Sequence, residues 1–259
     1  MMGDIMRILR TVLIVVLALA VGGGVIAGIL ILGVPHSRSD NGNRAAPEDL
    51  PRFASEAPLV RASVPVGVGV AGLADPRWIA STSKATGIPQ RALRAYAGVA
   101  IQVADAGTGC SIGWNTLAGI GEVESHHGTI FGGTLNAAGN ATPAIFGVPL
   151  DGGSFAKVPD SDGGAIDGDP TIDRAVGPMQ LIPNSWQNWH TDANLDGVED
   201  PQNIDDATMA AAHYLCRAGG QQLGQEAGWR KAVLAYNGSG AYLTNVIRHA
   251  TEYAKEAAS

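Results

Sequence analysis

Gly121-Glu122-Val123-Glu124-Ser125-His126-His127-Gly128 is the densest run of chemistry-bearing side chains in the sequence, and it closes an apolar stretch in which Leu117, Ile120 and Val123 recur at helical spacing. The spacing predicts a helix over about 116–126. Residues two apart on a helix point about 200° from each other, so Glu122 and Glu124 face opposite sides. Glu124 shares its face with Leu117, Ile120 and Gly121, the apolar side. A carboxyl placed there loses water, its pKa rises, and it can serve as a general acid near neutral pH. The competing reading is a helix C-terminus decorated with polar groups, and Glu122 is the internal rival for the acid. His126 and His127 are adjacent and point apart. The two-histidine spacing of zinc hydrolases is absent, and His36, His190, His213 and His249 show no ligand-like spacing either. No nucleophile-elbow sequence is present.

Outward from this run the pattern stays helical. Upstream, Leu93, Tyr96, Ala97, Ala100, Ile101 and Ala104 repeat at helix spacing, and Pro89 suits a first turn. Downstream, residues 128–175 are rich in Gly, Asn, Asp and Pro and read as a long irregular region, a kind of segment that usually carries function. Gly177-Pro178-Met179-Gln180-Leu181-Ile182-Pro183 reads as a loop entering a short helix near Asn184 or Ser185. Asp205 or Asp206 is expected to cap a helix running through Cys216. A shorter helix at 225–236 ends in Ala235-Tyr236-Asn237-Gly238, with Gly238 as its cap, and Ser239 starts a last helix whose stripe is Tyr242, Val246, His249 and Tyr253. The fold class expected is mostly α, one domain over 80–255, with no repeat. Trp114, Trp186, Trp189 and Trp229 read either as core or as the floor of a sugar groove.

The chain has 259 residues, 17 Lys+Arg against 24 Asp+Glu, a net charge of −7 and two cysteines. Its first 60 residues are balanced in charge, so the negative excess lies on 61–259. Such a surface is a poor partner for duplex nucleic acid, and no nucleic-acid partner is expected. Cys110 and Cys216 can form one disulfide, whose loop of roughly 100 residues would contribute about 4–5 kcal/mol by chain entropy; the alternative is two buried thiols. Residues 11–34 carry no charge and would span about 36 Å as a helix. Arg7 and Arg10 precede them and nothing basic follows until Arg38, which places 1–10 in the cytoplasm and the rest outside. The expectation is therefore a transmembrane anchor over 11–34, a single-pass plasma-membrane protein, and an extracytoplasmic linker over 35–79 ahead of the domain. A cleaved signal peptide is the alternative.

The stretch Asp192-Ala193-Asn194-Leu195-Asp196-Gly197-Val198-Glu199-Asp200 offers side-chain oxygens at alternate positions, a glycine for the tight turn and the Val198 carbonyl. Calcium held by Asp192, Asn194, Asp196, Val198 and Asp200 is expected there as a structural ion. A polar loop closed by side-chain-to-backbone turns is the alternative.

Taken together and in order, residues 121–128, 177–183, 192–200 and 235–238 resemble the peptidoglycan lytic transglycosylases of the membrane-bound lytic murein transglycosylase B type, within the goose-type lysozyme-like superfamily. The resemblance covers about 85–255. It implies a lysozyme-like domain, Glu124 as the single catalytic acid, and substrate contacts from Ser125, Gln180, Tyr236 and Asn237, with Tyr236 helping to orient the glutamate. It also implies cleavage of the β-1,4 bond between N-acetylmuramic acid and N-acetylglucosamine in peptidoglycan glycan strands, without water, leaving 1,6-anhydromuramic ends. A hydrolytic muramidase using the same site, and an inactive wall-binding protein, are the alternative functions.

Overall fold

The computed structural model describes residues 56–152 and 157–259. Seven α-helices are present among them: α1 Pro76–Thr86, α2 Gln90–Asp105, α3 Trp114–Ser125, α4 Pro183–Trp189, α5 Ile204–Ala218, α6 Glu226–Tyr236 and α7 Gly240–Glu256. Four short strands, β1 Thr134–Leu135, β2 Ala141–Thr142, β3 Phe146–Pro149 and β4 Arg174–Val176, form two antiparallel pairs, β1 with β2 and β3 with β4. The domain is thus mostly α-helical, consistent with a lysozyme-like fold.

The helix ends follow from local chemistry. Asp75 accepts the amides of Arg77 and Trp78 ahead of Pro76, and Gly87 closes α1 in the left-handed region at φ 72°. Ser239 caps α7 as its sequence predicts, accepting the Tyr242 amide. Helix α5 departs from expectation. Its cap is Asn203, whose side chain accepts the Asp205 amide, so Asp205 and Asp206 fall inside the first turn and are free for other work. The end of α6 departs too: Asn237 leaves the helix extended, at φ −145° and ψ 120°, so no left-handed Gly238 cap is used.

Helix α3 is buried on nearly every side, by α7, α2 and the segment before α1. It packs most extensively against α7, where a methyl group at Gly119 would stand 3.0 Å from the Val246 carbonyl oxygen and 3.2 Å from the Ala250 nitrogen. Asn115 is wholly buried on the same helix. Its amide donates to the Ala250 carbonyl at 3.1 Å and its carbonyl accepts from the Ala57 amide at 3.2 Å. Trp114 and Trp229 are core residues, the latter donating to Thr116 at 3.0 Å. The Cys110–Cys216 disulfide is formed, tying the turn after α2 to α5 across 106 residues.

Of the stretch expected as linker, Ala57, Val70 and Ala74 are buried in the core, and Leu59 and Leu73 pack against it. The Val70 amide donates to the Ala193 carbonyl at 3.0 Å, and a side chain at Gly98 of α2 would collide with the Val70 backbone. The region 128–175, expected as irregular, contains all the strands but the last residue of β4. Strands of two to four residues are too short to register as an alternating pattern.

One expectation is corrected. Among the described residues no helix is long and apolar enough to cross a membrane. The longest, α7, has 17 residues with one stripe buried on the domain and its other side polar, whereas a span needs about 20 mostly apolar residues. The architecture of a domain behind a single N-terminal transmembrane helix, the single membrane span as a partner, and the single-pass plasma-membrane placement are withdrawn accordingly. Residues 11–34, on which they rested, lie outside the described residues, as do 1–10 and 35–55.

Candidate active site

Glu124 sits near the C-terminal end of α3 and points into a cleft of about 100 Å³, whose walls include Gln180, Ser185, Tyr214, Tyr236 and Asn237. Leu150, Ala175, Leu181 and Ile182 supply the apolar part of the wall, and among the described residues Glu124 is the one carboxylate lining this cleft. Burial raises its pKa to about 7, against the opposing effect of a hydrogen bond from Tyr242. The Tyr242 hydroxyl donates to Glu124 Oε1 at 2.6 Å. Burial, with the glutamate charge adding to it, pushes Tyr242 well above the ordinary tyrosine value, so this hydroxyl keeps its proton.

Tyr236, expected to orient the glutamate, makes a different bond. Its hydroxyl donates to the Met179 carbonyl at 2.6 Å, and its ring stacks on Tyr242 with centroids 6.5 Å apart and planes 11° from parallel. Tyr242 was legible only as a member of the core stripe of α7. Its spacing from Ser239 says that it faces inward, but nothing local says that inward means a carboxylate more than a hundred residues earlier. The aromatic row continues from Tyr236 to Tyr214 and from Tyr214 to Trp189, with edge-on contacts at 5.7 and 6.4 Å.

The segment 177–180 lies beside the acid because of two unusual backbone positions. Gly177 has φ 72°, and a methyl group there would run into the Pro201 carbonyl. Gln180 is itself left-handed at φ 48°, and its amide donates to the Gly177 carbonyl at 2.9 Å. Gly147 of β3 lies beside Gln180: a Cβ there would stand 2.8 Å from Gln180 Oε1, so the Gln180 side chain would have to shift. Asn237 lines the cleft while its side-chain oxygen accepts the Ser239 amide at 3.1 Å.

Ser125 is placed differently from the other expected site residues. It is buried, donates to the Pro178 carbonyl at 2.6 Å and accepts the Gly128 amide at 2.8 Å. It pins the 177–180 segment to the end of α3 rather than lining the cleft. Glu122, on the opposite side of the helix from Glu124, is taken up by His126 at 3.0 Å and His127 at 3.1 Å, which removes it from the cleft.

The loop expected to hold calcium closes on itself. Asp192 accepts the amides of Asp196 and Gly197, Asn194 and Asp196 bond each other's neighbourhood, and Asp206 accepts the amides of Ala193, Asn194 and Asp200. Val198 and Asp200 continue the loop, the first exposed. Burial raises the Asp206 pKa to about 6 even though three amides face it. A second cluster was not foreseen. Asp160, Asp162 and Asp173 bring carboxylate oxygens within 4.8 Å of one another and could coordinate a metal ion. The three are spread over a Gly-rich loop, which no ligand-spacing pattern marks.

No curated protein and no solved structure matches the chain. A family model does match, and its range begins after Glu124. The family is described as Transglycosylase SLT domain, and the match covers residues 155–259, which bring Gln180, Tyr236, Asn237 and Tyr242 to the site; it supports a lytic-transglycosylase type of activity on peptidoglycan.

Proposed function

We propose that the domain over 80–255 cleaves the β-1,4 bond between N-acetylmuramic acid and N-acetylglucosamine by transglycosylation, with Glu124 as the acid and then the base. The observation that carries this reading is a single carboxylate among the described residues, with a pKa near 7, in a cleft otherwise lined by amides, hydroxyls and apolar groups. Two-carboxylate glycosidases place a second acid about 5–9.5 Å from the first. Where only one acid lines the cleft, the substrate's own acetamido oxygen can take the second role, a recognised departure from that scheme.

Tyr242 occupies Oε1 of Glu124, leaving Oε2 to carry the transferable proton. That proton passes to the glycosidic oxygen as the C1–O bond breaks, and the acetamido oxygen closes on C1. The carboxylate then takes the proton from the muramic-acid O6 hydroxyl, whose oxygen attacks C1, expels the acetamido oxygen and forms the 1,6-anhydro ring. Intramolecular attack is favoured over water by proximity. Gln180, Tyr236 and Asn237 bind the sugars, and Ser125 acts one step back by fixing the 177–180 segment.

A structural calcium ion belongs to the same reading. The Asp192, Asn194, Asp196, Val198 and Asp200 loop is an all-oxygen donor set, as calcium prefers, and so is the Asp160, Asp162 and Asp173 cluster. Held there, the ion would brace the loops on either side of the 177–183 segment and take no part in proton transfer.

Digestion of purified peptidoglycan followed by mass analysis of the products tests the proposal. Glu124→Gln is expected to lower cleavage at least about 100-fold, while the wild-type protein releases anhydro ends. Cleavage by the variant at the wild-type rate would refute the acid, and reducing ends without anhydro sugar would turn the enzyme into a hydrolase.

A further inference from the structure

The exposed aliphatic side chains among the described residues are gathered, not scattered. Six of the ten large hydrophobic residues that remain exposed, Val60, Val64, Val66, Val68, Leu195 and Val198, lie on two loops. The loops are joined where the Val70 amide donates to the Ala193 carbonyl at 3.0 Å. From 60 to 68 every even position is Val or Ala, with Arg, Ser, Pro and Gly between, the alternation of a half-buried strand. No strand forms there. Arg61 bridges Ala74, and the stretch 63–68 stays exposed, Val64 at 73 % and Val68 at 69 %. Aliphatic residues exposed singly are ordinary, whereas a contiguous apolar face marks an interface.

Beside this face a second cavity, of about 810 Å³, opens between the 65–73 segment, the end of α2 and one face of α5. Val68 and Leu195 line it and stay exposed, so they form its rim, while Leu73, Val103 and Met209 supply apolar wall. An exposed apolar loop and a partly apolar recess thus share one face, and a twofold axis seats the loop of each copy in the recess of the other. Charge permits this arrangement. No ionisable side chain lies between Ala62 and Leu73, and Arg61 is paired with Asp105 at 2.7 Å. Asp192 and Arg217 both line the cavity, so both signs of charge border the face. At the exposures of Val64, Val66, Val68 and Leu195 the face offers about 500 Å² per copy, or about 1,000 Å² in a pair, the least that a specific interface buries. The net charge of −7 on each copy opposes approach, so the pair is a weak one.

We propose that this face docks on its counterpart in a second copy of the chain, giving a twofold dimer with Val64, Val66 and Leu195 at its centre. Pairing buries the apolar side chains that the alternation of 60–68 supplies and that the fold of one copy leaves uncovered. The cavity shares no lining residue with the Glu124 cleft, so the inference does not depend on the peptidoglycan reading.

Sedimentation velocity of the full chain from about 1 to about 200 µM tests it. The wild-type protein is expected to pass from monomer to dimer over this range. Val66→Asp is expected to weaken the dimer at least about tenfold. Because Val66 is 56 % exposed, the variant is expected to melt together with the wild type, which also shows that it folds. A second measurement reads the contact itself. Both native cysteines are held in one disulfide, so an introduced thiol is the free one. Val64→Cys is expected to give a covalent dimer with a short bis-maleimide, and Leu234→Cys, exposed on α6 and outside this face, is not. A wild type that stays monomeric throughout would overturn the proposal. So would association unchanged in Val66→Asp, which places the contact elsewhere in the chain, or growth beyond a dimer, which a closed twofold contact forbids. A monomeric wild type that Val66→Asp destabilises overturns it as well, since the face is then covered by the chain's own residues.

Discussion

At the scale of single residues, the proposed chemistry depends on two opposed influences on one carboxyl. Burial lifts Glu124 to about 7 and the Tyr242 hydroxyl pulls it down. Removing that hydroxyl leaves burial unopposed. Tyr242→Phe is therefore expected to move the alkaline limb of the pH–rate profile to higher pH, with cleavage retained at pH 6; a limb that stays in place would show that Tyr242 does not govern the acid. The same raised pKa has a cost in stability. An unfolded glutamate releases its proton near 4.5 and the folded one near 7, so the native state loses stability as pH rises through that window. Glu124→Gln removes the charge altogether. Thermal melting is expected to show the variant level with wild type at pH 4 and more stable at pH 8, by about 2 kcal/mol after allowing for partial exposure. Glu124 itself was legible in the sequence, because helical spacing alone puts it on the apolar face. Tyr242 and the displacement of Tyr236 were not, because a hydrogen bond across more than a hundred residues has no local signature.

At the scale of elements, the end of α3 is where sequence and structure differ most instructively. His126 and His127 are both left-handed, at φ 49° and 58°, followed by Gly128 at 81°. Side chains other than glycine rarely adopt this conformation, so tertiary bonds must hold it. His127 is buried between Tyr96, 3.1 Å from Nδ1, and Tyr253 and Glu122, 3.0 and 3.1 Å from Nε2. A proton on Nε2 lets the ring donate to the Glu122 carboxylate and accept from Tyr96. Burial lowers the His127 pKa to about 4, so the ring is neutral in the folded protein at neutral pH. The unfolded chain takes up a proton near 6.5 and the folded one only near 4, so this site's stability is complete above 6.5 and is lost as pH falls toward 4. Subtracting the melting curve of His127→Gln from that of wild type, measured from pH 7 to 4, isolates this loss; a flat difference would place the proton elsewhere. The histidine pair was read in the sequence as a failed zinc motif because its members are adjacent. Adjacency did not reveal that one of the two is the anchor of the helix that carries the acid.

At the scale of the whole molecule, remote segments converge on one cleft: α3 brings Glu124, the 177–180 segment brings Gln180, and α6 and α7 bring Tyr236 and Tyr242. The disulfide and the buried Arg91–Asp205 ion pair hold the remaining parts in register around them. The candidate calcium sites sit on loops that flank this convergence, so the ion's effect is expected on stability. Saturating calcium should raise the melting temperature of the full chain by about 5 °C or more, and Asp192→Ala should abolish the rise. A rise kept in Asp192→Ala and lost in Asp173→Ala would move the ion to the other cluster, and no rise in wild type would remove it from the account.

The sequence by itself determined what is local: helical faces spaced by 3.6 residues, the Ser239 cap, the side of α3 on which Glu124 lies, and a pair of cysteines able to join. Periodicity and capping are properties of a few consecutive residues, so they can be read without the fold. Only the tertiary structure decided which partners those faces meet. It gave Tyr242 to the acid and Tyr236 to a carbonyl, turned Ser125 inward, made Asn203 the cap of α5, gathered Asp160 with Asp173, and opened a second cavity across α5 from the first. Each of these depends on how far apart in space two distant stretches come to rest, a quantity fixed by packing the whole core at once.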